Sequence, residues 1–173
     1  WARKVNRLAI YDYWAITDWS NDLPELPPLR LVDARIKRWK ECSVEAAMLQ
    51  STAAIGAVGP SLYIAAKLLW DPSLDARALL EEFCRDAFGS AAPPMRRMIA
   101  RWDEGFLPSD HEIALSFRDA RDALNLADDP AIEHRILDYA KYVHYLRLWH
   151  EYRSTKGGSP DRLAAAQRLI EHL

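Results

Sequence analysis

Four consecutive residues carry the most legible chemistry in the chain: Tyr11, Asp12, Tyr13 and Trp14, which close an apolar run beginning at Val5. Aromatic rings present flat apolar faces, and a carboxylate accepts hydrogen bonds from hydroxyl groups. Together they suit a ligand with C–H faces and hydroxyls, which is the chemistry of a sugar. The same residues also fit a structural role, with the rings packed under a loop and Asp12 capping a turn. Trp19 follows in a polar stretch with Asp18, Asp22 and Glu25. Long loops on compact domains often carry function, and a buried anchor in a solvated loop is the alternative. Gln50, before Ser51 and Thr52, ends a second strand-like run and can both donate to and accept from hydroxyls. It can equally satisfy backbone groups in a turn.

Side chains alternate along a strand, so Asp12 and the pair Tyr11/Tyr13 point to opposite faces. The expectation favours Asp12 toward a cleft, because no charged partner stands near it in the sequence and a buried carboxylate needs one. Glycoside hydrolysis requires two carboxylates. No second carboxylate has a spacing that commits it to Asp12, so the catalytic residues remain unknown and are expected outside this chain.

Other chemistries find little support. His111, His134, His144, His150 and His172 are scattered, and the closest two are six apart, a poor spacing for sharing a helix face. No metal set and no cofactor are expected. There is no phosphate loop and no serine elbow. The net charge of -2 gives no field to gather nucleic acid, and no run approaches the length of a membrane span. Cys42 and Cys84 are expected as buried thiols rather than a disulfide.

The elements that must position these residues follow from periodicity. Val5–Tyr13 and Val44–Gln50 look like strands buried on both faces, with a helix around Leu29, Val32, Ile36 and Trp39 between them. A long breaker-rich loop precedes that helix. An almost wholly apolar helix with Pro60 near its start runs to Trp70 and should be buried. Strand, helix, strand, helix implies a parallel pair. From Asp71 the pattern is helical throughout. Stripes run through Leu79, Leu80 and Phe83, then Met95, Met98, Ile99, Trp102 and Phe106. They continue through Ile113, Phe117, Ala120 and Leu124, then Ile132, Ile136, Tyr139, Val143 and Leu146. Asp75, Ser90 and Ser109 stand as N-caps and Gly89 as a C′ residue. The basic run Arg96-Arg97-Met98-Ile99-Ala100-Arg101 is expected to be a solvated helix face. Two parallel strands do not fold alone, so residues 1–71 are expected to belong to a larger sheet or barrel.

The stretch "AAKLLWDPSLDARALLEEFCRDAFGSAAPPMRRMIARWDE" resembles the C-terminal region of an uncharacterised, domain-of-unknown-function family of glycoside-hydrolase-like proteins. Those proteins are similar to alpha-glucuronidases and beta-N-acetylhexosaminidases. The resemblance implies that residues 1–71 are the last two strands and helices of a (β/α)8 barrel and 72–173 a helical domain bracing it. In such a barrel the strand C-terminal ends carry the site, which would make Tyr11, Asp12, Tyr13, Trp14, Trp19 and Gln50 substrate-binding. It further implies a carbohydrate ligand, an N-terminal remainder of the same protein as partner, and an extracytoplasmic or secreted location. The Trp70-Asp71-Pro72 motif reads as structural, with Trp70 buried against the helices. Two alternatives are a non-catalytic carbohydrate-binding or scaffolding module, and a helical interaction domain.

Overall fold

The computed structural model describes residues 4, 5, 7–14, 17–18, 23–24, 29–50, 55–103 and 108–172, with backbone alone at 17–18, 23–24 and 55–58. Trp19, Asp22, Glu25, Ser51, Thr52 and Phe106 lie outside the described residues. The chain is mostly helical, with one two-stranded parallel sheet. It divides into two compact units, Trp1–Phe83 and Cys84–Leu173.

In the first unit, β1 (Leu8–Tyr13) pairs with β4 (Val44–Gln50) in parallel, as the strand–helix–strand pattern predicts. The register runs from Ala9 opposite Ala46 to Tyr13 opposite Gln50, after a shift between Leu8 and Ala9. The Trp14 amide extends the pairing by donating to the Gln50 carbonyl at 2.7 Å. The intervening stretch is not wholly irregular: β2 (Thr17–Asp18) and β3 (Leu23–Pro24) form a short antiparallel pair.

α1 (Leu29–Glu41) buries Leu29, Val32 and Ile36 and packs on β4 and on α2 (Ile55–Trp70). Ser43, at φ 55°, is in the left-handed conformation that closes α1 and turns the chain into β4. α2 departs from expectation in two ways. It begins at Ile55, so Pro60 lies inside the helix rather than at its start. It is also not buried all round: Ile64, Ala65 and Leu68 are in the core, while Leu69 and Trp70 are exposed. α3 (Ala76–Phe88) starts at Asp75, whose carboxylate accepts from the Ala78 amide at 2.7 Å, the cap the sequence predicts.

In the second unit, α3 ends at Gly89, whose φ of 49° is the left-handed turn expected of a C′ glycine. A 3-10 turn, Gly89–Ala91, leads into α4 (Ala92–Asp103), with prolines confined to its first turn. Ser90 is not the cap of α4; its hydroxyl donates to the Leu126 carbonyl at 2.6 Å. α5 (Asp110–Leu126) is capped by Ser109, whose hydroxyl accepts from the Glu112 amide at 3.2 Å, the cap the sequence predicts. α6 (Pro130–Ser154) is capped by Asp129 with Pro130 in the first turn, and α7 (Pro160–His172) follows a glycine turn. No strand occurs among the described residues of 75–153.

The core of this unit is Phe88, Met95, Met98, Trp102, Ile113, Ala120, Ile136, Val143 and Leu146, all buried. Phe117 and Leu124 are only half-buried; the buried face of α5 is Ile113, Ser116, Asp119, Ala120 and Ala123. That face is turned by about one residue from the apolar stripe, because it must present Ser116 and Asp119 inward. Phe83, in the first unit, is likewise half-buried, with its ring 5.5 Å from Tyr63.

Candidate functional site

β1 and β4 sort their side chains onto two faces. Ile10 and Asp12, with Ala47 and Leu49, lie on the less exposed face; Ala9, Tyr11, Tyr13, Ala46, Met48 and Gln50 lie on the other. α1 supplies the Asp12 face with a cation. Arg35 Nη1 is 3.2 Å from Asp12 Oδ2, the Trp14 indole N–H donates to the same oxygen at 2.9 Å, and the Tyr13 amide donates to Oδ1. The charged partner that appeared to be missing is therefore Arg35, one turn from the buried Val32 of α1. Asp12 turns toward α1, and its position in the strand sends the tyrosines the other way.

Trp14 goes with Asp12. Its ring is 1% exposed and lies 6.1 Å from the Trp39 ring. With so little surface free, it has no face to stack on a ligand. Its indole N–H fixes the Asp12 carboxylate instead.

The opposite face is open. Tyr11 is 54% exposed and Tyr13 55%, their rings edge-to-face at 5.2 Å. The Tyr11 hydroxyl donates to the Gln50 side-chain oxygen, a diagonal cross-strand contact that ties β1 to β4. The amide nitrogen of Gln50 remains a donor. The Tyr11 hydroxyl is held above its ordinary pKa of 10.0, chiefly by desolvation and then by Tyr13, so it stays a neutral donor and acceptor. Met48, exposed and opposite Tyr11 in the register, adds a soft apolar surface to the same face. Glu45 takes no part: it pairs with Arg7 at 2.7 Å.

Residues 1–100 match the model of a family described as a domain of unknown function, DUF4838. The chain belongs to this DUF4838 family. No curated protein and no solved structure matches it. The matched region contains the whole open face of β1 and β4 and reaches into α4, so the residues gathered on that face lie inside the DUF4838 region.

The second unit holds a polar centre that periodicity did not signal. Asp119 is fully buried; Arg101 Nη1 is 2.6 Å from it, Arg97 Nη2 3.0 Å and Arg118 Nη2 3.9 Å. Arg97 and Arg101, one turn apart on α4, are thus turned to α5 instead of lying on a wholly solvated face. The available signal was the i, i+4 arginine pair, together with a carboxylate beside the apolar Ala120. A shallow hollow of about 330 Å³ lies over Arg96, Arg97, Ala100 and Arg101. Elsewhere in this unit's core, the Trp102 indole N–H donates to Ser116 at 3.1 Å, and Tyr139 stacks on Trp102 at 6.0 Å. The Tyr139 and Tyr142 hydroxyls are pushed well above their ordinary pKa by burial. These groups join helices α4, α5 and α6.

Among the described residues no group of three or more His, Cys, Asp or Glu could hold a metal ion. No helix among them is long and apolar enough to cross a membrane. Neither cysteine is in a disulfide; Cys84 is buried and Cys42 half-buried rather than fully so.

Proposed function

We propose that this DUF4838 chain is the C-terminal portion of a glycoside-hydrolase-like protein and that the open face of β1 and β4 binds carbohydrate. In this proposal residues 1–71 close a (β/α)8 barrel and 72–173 form a helical domain bracing it. The observation that carries it is the exposed Tyr11–Tyr13 pair beside Gln50, at the C-terminal ends of two parallel strands and on the face opposite Asp12. Strand C-terminal ends are where barrel enzymes place their sites. Tyrosine rings offer apolar faces to a pyranose, and the Gln50 amide and the two phenols offer hydroxyl partners.

Asp12 takes a supporting role in this proposal. It orients Trp14 and anchors the strand end to Arg35, and it does not contact sugar directly. That arrangement leaves no carboxylate from β1 or β4 beside Tyr11, Tyr13 and Gln50, which favours a binding contribution over catalysis for these residues. Any acid pair would come from elsewhere in the protein.

Isothermal titration with a panel of neutral and acidic oligosaccharides tests the proposal. The Tyr13→Ala variant should lower sugar affinity by about tenfold, the equivalent of one lost stacking contact of ~1.4 kcal/mol, with the melting temperature nearly unchanged. Wild-type affinity in that variant would remove Tyr13 from the site. Absence of binding to every sugar by the wild-type protein would end the proposal.

A further inference from the structure

His144 and His172, 28 positions apart in sequence, are brought face to face by α6 and α7: the rings stack at 4.8 Å with 22° between their planes. Arg147 Nη2 lies 3.4 Å from His144 Nε2. A guanidinium can only donate, so Nε2 must accept, and the contact needs a neutral imidazole.

α7 is otherwise lightly held. Ala165 is its only buried residue, while Leu163 and Ile170 are exposed. Ala164, Ala166 and Leu169 are half-buried, and polar ties to α6 and the turn add to them. Arg168 pairs with Glu151, Arg162 donates to the Thr155 carbonyl at 2.9 Å, and the Arg162 guanidinium lies 4.1 Å from the centre of the Tyr152 ring. The turn leading into α7 contains Gly157 and Gly158, the latter at φ 76°. Both glycines face open space, and Gly158 takes a conformation that favours glycine.

We propose that α7 is a pH-released clasp, in which protonation of the stacked imidazoles of His144 and His172 loosens it from α6. Protonation at Nε2 removes the acceptor that Arg147 uses and sets cation against cation. A second proton on His172 adds a like charge at stacking distance. Arg147 of α6 is the charged side chain that acts on His144, and Glu151 of α6 lies between Arg147 and Arg168 of α7. Glu151 is already shared between Arg168 and Arg147, at 4.0 Å from the latter, so it is not a spare counter-ion. Glu171, next to His172 in sequence, is exposed.

The sign follows from His144. Desolvation first, then Arg147 and His172, lower its pKa below the ordinary 6.5. The released helix therefore binds the proton more readily than the docked one. Docking is full above the ordinary histidine range and is lost as pH falls through and below 6.5.

Amide hydrogen exchange on the intact chain tests this, at about pH 7.5 and about pH 5.5 on either side of the histidine range, normalised to intrinsic rates. In the wild type, α7 amides should lose protection several-fold at the lower pH while α4 and α5 keep theirs. His144→Gln can still accept from Arg147 but cannot charge, and should hold α7 docked at both pH values. Unchanged wild-type protection in α7 would overturn the proposal, as would a full pH response surviving in His144→Gln. If His144→Gln itself loosens α7 at both pH values, His172→Gln decides. It removes the second charge and leaves the Arg147 contact, so a weakened response supports the clasp and an undiminished one overturns it.

Discussion

Asp12 and Asp119 are each bound by arginine from a neighbouring helix, and each unit has an indole N–H bonded to an oxygen nearby. Their surroundings differ. Asp119 is fully buried on α5 with guanidinium groups of Arg101 and Arg97 within 3.0 Å. Asp12 keeps 28% of its side chain exposed and has one arginine at 3.2 Å, itself 43% exposed. The difference lies in the carboxylates and the number of cations more than in how dry the cations are: Arg97 is 51% exposed, no drier than Arg35, while Asp119 itself is sealed from solvent. Asp119 is a fixed joint between helices. Asp12, on the strand face opposite the open one, is a half-exposed tie between β1 and α1.

The largest effect should come from breaking the buried joint. Asp119→Ala leaves Arg97 and Arg101 without the carboxylate they converge on. It should destabilise the second unit by more than the ~1 kcal/mol of a surface pair but less than the ~3–5 kcal/mol of a wholly buried one, because Arg97 is half-exposed and Asp122 and Glu112 stay within reach of Arg97 and Arg101. Urea unfolding followed by circular dichroism measures this. A loss below ~1 kcal/mol, the level of a surface pair, would mean that the arginines are effectively solvated and the contrast with Asp12 is false.

The Asp12 side of the comparison predicts a smaller number. Arg35→Ala removes a half-exposed partner, while the Trp14 indole and the Tyr13 amide still hold the carboxylate. The expected cost is about 0.2–1 kcal/mol, and it should shrink further in high salt. A cost equal to that of Asp119→Ala would make Asp12 a second buried joint.

These two centres also mark how far the sequence could be followed. The parallel pairing of β1 and β4 was legible because both runs are short, apolar and separated by one helical stripe. The helices after Asp71 were legible because Met95, Met98, Ile99 and Trp102 repeat at helical spacing and Asp75 and Ser109 cap where they should. Alternation along β1 left two answers for Asp12 and the tyrosines. The deciding group, Arg35, is 23 positions away, and only the packing of α1 brings it to the strand. Asp119 was hidden for a related reason. A charged residue beside Ala120 reads as the edge of a polar face, and nothing local reveals that two arginines of α4 reach it. The His144–His172 stack joins residues whose separation carries no periodic signal at all.

Trp70 gives the smallest expected effect and tests the same lesson from the apolar side. The Trp-Asp-Pro motif and the apolar run before it suggested a buried ring whose loss would cost several kcal/mol. The structure reverses this: Trp70 is 90% exposed at the last position of α2. The helix geometry explains why. At 3.6 residues per turn, Trp70 stands roughly 200° around from the buried Leu68, on the face away from Ile64 and Ala65. Asp71 then stops the helix, its carboxylate accepting from the Ser73 amide and hydroxyl. Its pKa is lowered chiefly by the Ser73 hydroxyl, so the stop stays ionised at neutral pH. The motif thus ends α2 through Asp71 and Pro72, and the indole contributes little to the core. Trp70→Ala should therefore change stability by no more than about 0.5 kcal/mol, the range for surface positions. The measurement is the urea midpoint of the variant beside that of Asp119→Ala. A loss of several kcal/mol in this chain would show that the ring packs where the structure leaves it open.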